Sequence, residues 1–217
     1  MLTFAIPKGR ILEPLVALLV EGDVKEAQGL LNLERDLVLS ARSFDLRFLI
    51  VRDRDVPTYI AGGGCDLGVV GSDVLMEQSP DLYELMDLQV GACSLKLAEP
   101  KELAETDDPS IWTRVCVATK YPRITQRFFR ERGVEVETVT LNGSVELAPI
   151  VGLAPRIVDL VSTGMTLKQH GLVPVIDIME CSARLVANKA AFRMKKTEIE
   201  RLYLALRGAK ESLNAKA

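Results

Sequence analysis

Short apolar segments alternate with amphipathic helical stretches along almost the whole chain, and this alternation restricts the fold more than any other feature. Residues 2–6, 37–39, 48–51, 67–70, 115–119, 134–140, 157–161, 175–181 and 182–188 read as strands. Between them, residues 10–20, 56–62, 124–132, 148–153 and 166–170, with a stretch starting at Val74, read as helices. The tail at 197–210 opens on Thr197-x-x-Glu200, the spacing of a capping box, and keeps Ile199, Leu202 and Leu206 on one face. Strand–helix–strand alternation predicts an α/β fold with mostly parallel sheets and flanking helices, because parallel strands need a crossover.

An internal echo refines this. A-I-P-K-G-R-I (5–11) resembles A-T-K-Y-P-R-I (118–124), each a strand ending in a lysine. D-L-G-V-V-G-S-D-V-L (66–75) resembles D-L-V-S-T-G-M-T-L (159–167), each an Asp, an apolar strand, a Gly and a helix start. Two lobes of similar topology account for both pairs. The expected division is 1–90 plus 178–217 for lobe I and 91–177 for lobe II, with linkers at 88–98 and 171–174.

Charge and composition exclude several functions. Lys and Arg total 27 against 30 Asp and Glu, a net charge of −3, so no bulk basic field draws nucleic acid. The apolar run at 15–20 is far short of the ~20 residues that cross a bilayer. The opening MLTFAIPKGR lacks a basic segment before its apolar stretch, so we expect no signal peptide, no membrane association and a cytoplasmic protein. Cys65, Cys93, Cys116 and Cys181 lie far apart without a C-x-x-C pair, which argues for buried thiols. The one histidine, His170, sits in K-Q-H-G-L, the pattern of a helix end with Gly171 left-handed after it. A nucleophile–histidine device is therefore not expected.

The chemistry-bearing residues are those that hold anions. In I-V-D-L-V-S-T-G-M-T-L (157–167), a strand runs through Ser162, Thr163 and Gly164 into a helix carrying Thr166. Backbone N–H groups and three hydroxyls there form either a phosphate cradle without fixed charge or a plain capped helix; the residues alone leave both open. Asp159 lies on the strand side. P-K-G-R places Lys8 and Arg10 at a strand-to-helix turn, where α/β ligands bind. V-R-D-R-D (51–55) carries Arg52 and Arg54. G-G-G-C-D-L-G-V-V-G-S-D (62–73) packs glycines around one strand, and L-N-G-S-V-E-L-A-P (141–149) brings Glu146 near a helix start. Anion cradles and cations without a nucleophile–base pair suit a reaction governed by positioning and leaving-group charge.

MLTFAIPKGRIL, DVPTYIAGGGCDLGVVGSDVL, VATKYP and LNGSVELAPIVGLAPRIVDLVSTGMTLKQHGL resemble, in order and over nearly the whole chain, the ATP phosphoribosyltransferase family. The resemblance implies a two-lobed fold similar to type II periplasmic binding proteins. It implies transfer of the phosphoribosyl group of 5-phosphoribosyl diphosphate (PRPP) to N1 of ATP with release of pyrophosphate, the first step of histidine biosynthesis. It implies Mg²⁺ held mainly through substrate phosphates. The length resembles the short form, implying a homodimer within a hetero-oligomer whose regulatory subunit resembles histidyl-tRNA synthetase.

Residue by residue, Asp159, Leu160, Val161, Ser162, Thr163, Gly164, Met165 and Thr166 match the family's loop for the PRPP 5′-phosphate. Glu146 and Asp159 match groups for the ribose hydroxyls and metal-bound water. Lys8, Arg10, Arg35 and Arg52 match basic positions near the phosphates, Lys8, Arg35 and Arg52 being the catalytic candidates and Arg35 and Arg52 reaching a neighbouring subunit's site. Asp66, Gly71 and Asp73 match a first-lobe segment facing the cleft. Met165 and Ser72 stand where relatives often carry a basic residue, and Asp36 also occupies an often basic position. Two other readings stand beside this one: a non-catalytic binding module of the same fold, and a classical phosphoribosyltransferase. The latter wants paired acids before the T-G loop, where Val161 and Ser162 stand.

Overall fold

The computed structural model describes residues 1–32 and 37–216. The chain forms two compact units, one from Met1–Gly91 and Ser182 onward, the other from Ala92–Cys181.

The first unit begins with β1 (Leu2–Pro7), α1 (Leu12–Glu21), β2 (Val38–Ala41) and β3 (Leu46–Val51), and continues through α2 (Val56–Ala61), β4 (Leu67–Gly71), α3 (Ser72–Gln78) and β5 (Tyr83–Asp87). β1 and β4 are buried along their whole length, the mark of strands covered on both faces. The second unit holds β6 (Cys93–Pro100), α4 (Lys101–Ala104), β7 (Arg114–Thr119), α5 (Pro122–Arg130), β8 (Glu135–Thr140), β9 (Arg156–Val161), α6 (Met165–Gln169) and β10 (Leu172–Cys181). The chain then returns to the first unit as β11 (Ala183–Ala187), α7 (Lys189–Met194) and α8 (Lys196–Lys216).

The first sheet has the order β2-β3-β1-β4-β11-β5, the second β10-β6-β9-β7-β8. Both are mixed, not largely parallel. β1 pairs in parallel with β3 and β4, and β7 with β8 and β9, while β2, β5, β6, β10 and β11 join antiparallel. Ile199, Leu202 and Leu206 bury one face of α8 against the first core, as their spacing predicts.

Several boundaries differ from the sequence reading. Residues 88–98, expected as linker, contain most of β6, an interior strand whose pattern is broken by Lys96 and Glu99. Of residues 171–174, all but Gly171 belong to β10, which runs to Cys181, so the chain re-enters the first unit at Ser182 and not at 178. The stretch 148–153 is turn, not helix, and follows a single 3₁₀ turn at Val145–Leu147. α8 begins at Lys196, which puts Thr197 inside its first turn and not at its cap. His170 does end α6, and Gly171 follows with φ +68°.

The start of β9 is fixed by a charged cluster. Arg156 Nε donates to Glu99 Oε2 at 2.8 Å, and its guanidinium also pairs with Asp107. Asp107 accepts from Trp112 Nε1 at 2.9 Å, and the Arg156 guanidinium lies 4.5 Å from the Trp112 ring centroid. Burial holds the Glu99 carboxyl above its ordinary 4.5, against the pull of Arg156. Burial also acts upward on Asp107, but hydrogen bonds from Trp112 and Arg156 outweigh it and hold that carboxyl below 3.8.

Candidate active site

β9 ends at Val161, and Ser162 and Thr163 lead exposed into Gly164, the cap of α6. Gly164 has φ +74°, while an added Cβ would meet nothing nearer than 3.9 Å. Conformation, not space, selects glycine here. The loop, the last turn of β9 and Glu146 line a cavity of about 210 Å³. Its lining comprises Glu146, Ile157, Asp159, Leu160, Val161, Ser162, Thr163, Gly164, Thr166 and Leu167. Of the second-unit residues singled out in the sequence, only Met165 is absent from this wall; it is 66% exposed. Glu146 reaches it because Ser144 (φ +48°) turns the chain into a 3₁₀ turn anchored by buried Val145 and Ala148.

In the first unit, Lys8 and Arg52 directly follow Pro7 and Val51, which are register partners on β1 and β3. The Lys8 N–H donates to Val51 O at 2.9 Å. Gly71 ends β4, the other neighbour of β1, so Lys8, Arg52, Gly71 and Asp73 gather at the carboxyl ends of three parallel strands. Lys8 and Arg52 are exposed and make no ion pair among the described residues. Asp73 is buried with its Oδ1 over Gly71, where a methyl group would collide with it. Arg10 donates to the Gly91 carbonyl, so part of its guanidinium is already engaged.

Two first-lobe expectations change. Asp66 precedes β4 and therefore lies at the opposite end from Gly71. Its carboxylate accepts from Thr3 N–H at 2.8 Å and from Lys195 Nζ at 2.8 Å, which is a structural role. Its place at the amino end of β4 corrects the expectation that it faces the cleft with Gly71 and Asp73. Arg35, like Asp36, lies outside the described residues.

The sequence reading missed Lys96. β6 sets it in register with Asp159 on one side and Asp177 on the other, and its Nζ pairs with Asp177 Oδ1 at 2.8 Å. A charge between buried Leu95 and Leu97 was the available signal. Burial pushes the Cys65 thiol up to about 11, so it carries little thiolate at neutral pH. Among the described residues, no helix is long and apolar enough to cross a membrane.

Two mixed-sheet α/β units, with a cavity at the end of β9 in the second, define an α/β fold of the type II periplasmic-binding-protein kind. The aliphatic sulphonate binding protein SsuA from Escherichia coli shares this fold, with a TM-score of 0.62 over 99% of this chain and 70% of that chain, at 13% identity. A family model described as ATP phosphoribosyltransferase (HisG) matches residues 52–208. ATP phosphoribosyltransferase from Geobacter metallireducens is 52% identical over 198 residues, covering 91% of this chain and 93% of the relative. That from Rhizorhabdus wittichii is 47% identical over 213 residues, covering 97% and 96%. The ATP phosphoribosyl transferase (HisG:HisZ) complex from Thermotoga maritima matches with TM-score 0.78 and 33% identity over 98% of this chain and 100% of that one. The chain belongs to the ATP phosphoribosyltransferase family, whose reaction opens histidine biosynthesis.

Proposed function

We propose that the second-unit cavity holds the phosphoribosyl end of PRPP, with Ser162, Thr163, Gly164 and Thr166 around the 5′-phosphate and Glu146 and Asp159 toward the ribose hydroxyls. The observation that carries this is the convergence of Glu146, Asp159 and the 160–166 loop on one cavity. Adenine N1 of ATP bears a lone pair and no proton, so its attack on C1 of PRPP needs no base. The C1–O bond breaks, its electron pair leaves with pyrophosphate, and positive charge grows on the ribose. Lys8, Arg52 and Arg35 are the cations we assign to substrate phosphates and the departing diphosphate, Arg35 and Arg52 acting across a homodimer.

The donor set fits Mg²⁺. The cavity offers two carboxylates and hydroxyl oxygens, the hard donors that Mg²⁺ takes. Glu146 and Asp159 would hold it, through water. Bound with substrate, it would neutralise charge on the diphosphate. We further infer a cytoplasmic enzyme and a regulatory subunit resembling histidyl-tRNA synthetase, the partner being supported by the match to a chain of the Thermotoga (HisG:HisZ) complex.

Thr166→Val is expected to weaken PRPP binding about tenfold, the worth of one hydrogen bond to a charged group, and to leave ATP binding within about twofold. Calorimetry with each ligand checks this, and equal losses would remove the loop assignment. Free histidine is expected to leave the isolated chain's activity nearly unchanged; strong inhibition would place the regulatory site on this chain.

A further inference from the structure

We propose that Lys120 is a phosphate-binding cation of this cavity, which deepens the PRPP reading above and rests on it. The loop at 162–166 contributes hydroxyls and amides, and the charged side chains lining the cavity, Glu146 and Asp159, are both acidic. A phosphorylated ligand there needs positive charge from nearby. Lys96 lies opposite Asp159 but is already paired with Asp177.

Lys120 comes from the other side. β7 runs parallel to β9 with Val117 opposite Arg156, Ala118 opposite Ile157 and Thr119 opposite Val158. The paired register ends there, and Lys120 and Asp159 are the residues that next follow on the two chains. The chain is pinned on both sides of it: Thr119 Oγ1 donates to Val158 O at 2.8 Å, and Tyr121 N–H donates to Thr119 Oγ1 at 2.9 Å. Ala118, two residues before Lys120, packs in one cluster with Ile157, Leu167 and Val161 of the cavity wall, so this strand end adjoins the cavity. Lys120 is half-buried, and its amine makes no hydrogen bond or ion pair among the described residues. A flexible four-carbon stem at a strand end carries such a point charge to a phosphate. The first unit has the same device, since Lys8 follows β1 as Lys120 follows β7.

Lys120→Met in the full chain is expected to weaken PRPP binding at least about tenfold by calorimetry, the scale of one charge-assisted contact. ATP affinity should stay within about twofold, and Lys120→Arg should restore most of the loss. Replacing exposed Lys168 by Met on α6 should change neither. In the wild-type protein, PRPP should protect Lys120 from acylation by acetic anhydride, read by mass spectrometry, which removes any dependence on variant folding. PRPP affinity unchanged in Lys120→Met, or acylation unaffected by PRPP, overturns the proposal. If Thr166→Val still weakens PRPP, only Lys120 is lost; if the wild type binds no PRPP, the site reading falls with it.

Discussion

Arg156→Met should destabilise the second unit by about 3–5 kcal/mol, because it leaves two inward-facing carboxyl groups without their cation. Glu99 is 1% exposed, and Asp107 would retain only its hydrogen bond from Trp112 among the contacts described above. The loss should be greatest near neutral pH and shrink in acid, where protons replace the missing charge. In the wild type, the two carboxyls act in opposite directions. The raised Glu99 value contributes stability that is full below 4.5 and lost as pH rises through its folded value. The lowered Asp107 value contributes stability that is full above 3.8 and lost as pH falls through its folded value. Thermal unfolding across pH, with hydrogen exchange along β9, measures both effects. A variant melting with the wild type at neutral pH would show that the cluster is not holding β9. Since β9 ends in the cavity wall, activity should fall with protection of that strand.

Gly68→Ala is expected to cost about 3 kcal/mol in the first unit, at the upper end of overpacking penalties. Its Cβ would lie 2.7 Å from Ala5 O, 2.9 Å from Ala5 Cβ and 2.9 Å from Ile60 Cδ1. Ala5 is its register partner on β1, and Val186 of β11 pairs from the other side, so the backbone has nowhere to move. Chemical denaturation should show a lower midpoint with an unchanged slope. A midpoint equal to wild type would mean that the sheet centre yields more easily than its packing implies.

The cavity was largely legible in the sequence because Asp159 to Thr166 are contiguous: strand end, hydroxyl loop, left-handed glycine and helix follow one another locally. Glu146 came from family resemblance and from its place near an expected helix start, which the structure replaces by a single 3₁₀ turn. Lys96 and Lys120 were not assigned roles because their place depends on strand register, set by partners far along the chain. The echo between 66–75 and 159–167 also misled in one respect. Gly71 and Gly164 both cap helices, but β4 starts after Asp66 whereas β9 has already run three residues before Asp159. The same letters therefore put one aspartate at the far end of its strand and the other in the cavity. Strand β6 was hidden by Lys96 and Glu99, whose charges are matched only by partners across the sheet.

The placement of β11 between β4 and β5 dictates an order of assembly on the ribosome. Everything the second unit needs emerges as one uninterrupted stretch, so it can close while synthesis continues. The first sheet must wait with a slot open beside β4 until residues made more than a hundred positions later arrive to fill it. During that interval β4 and β5 present unpaired edges to the cell. Nascent chains halted before Ala183 should therefore engage chaperones through the earliest-made segments and not through the most recent ones.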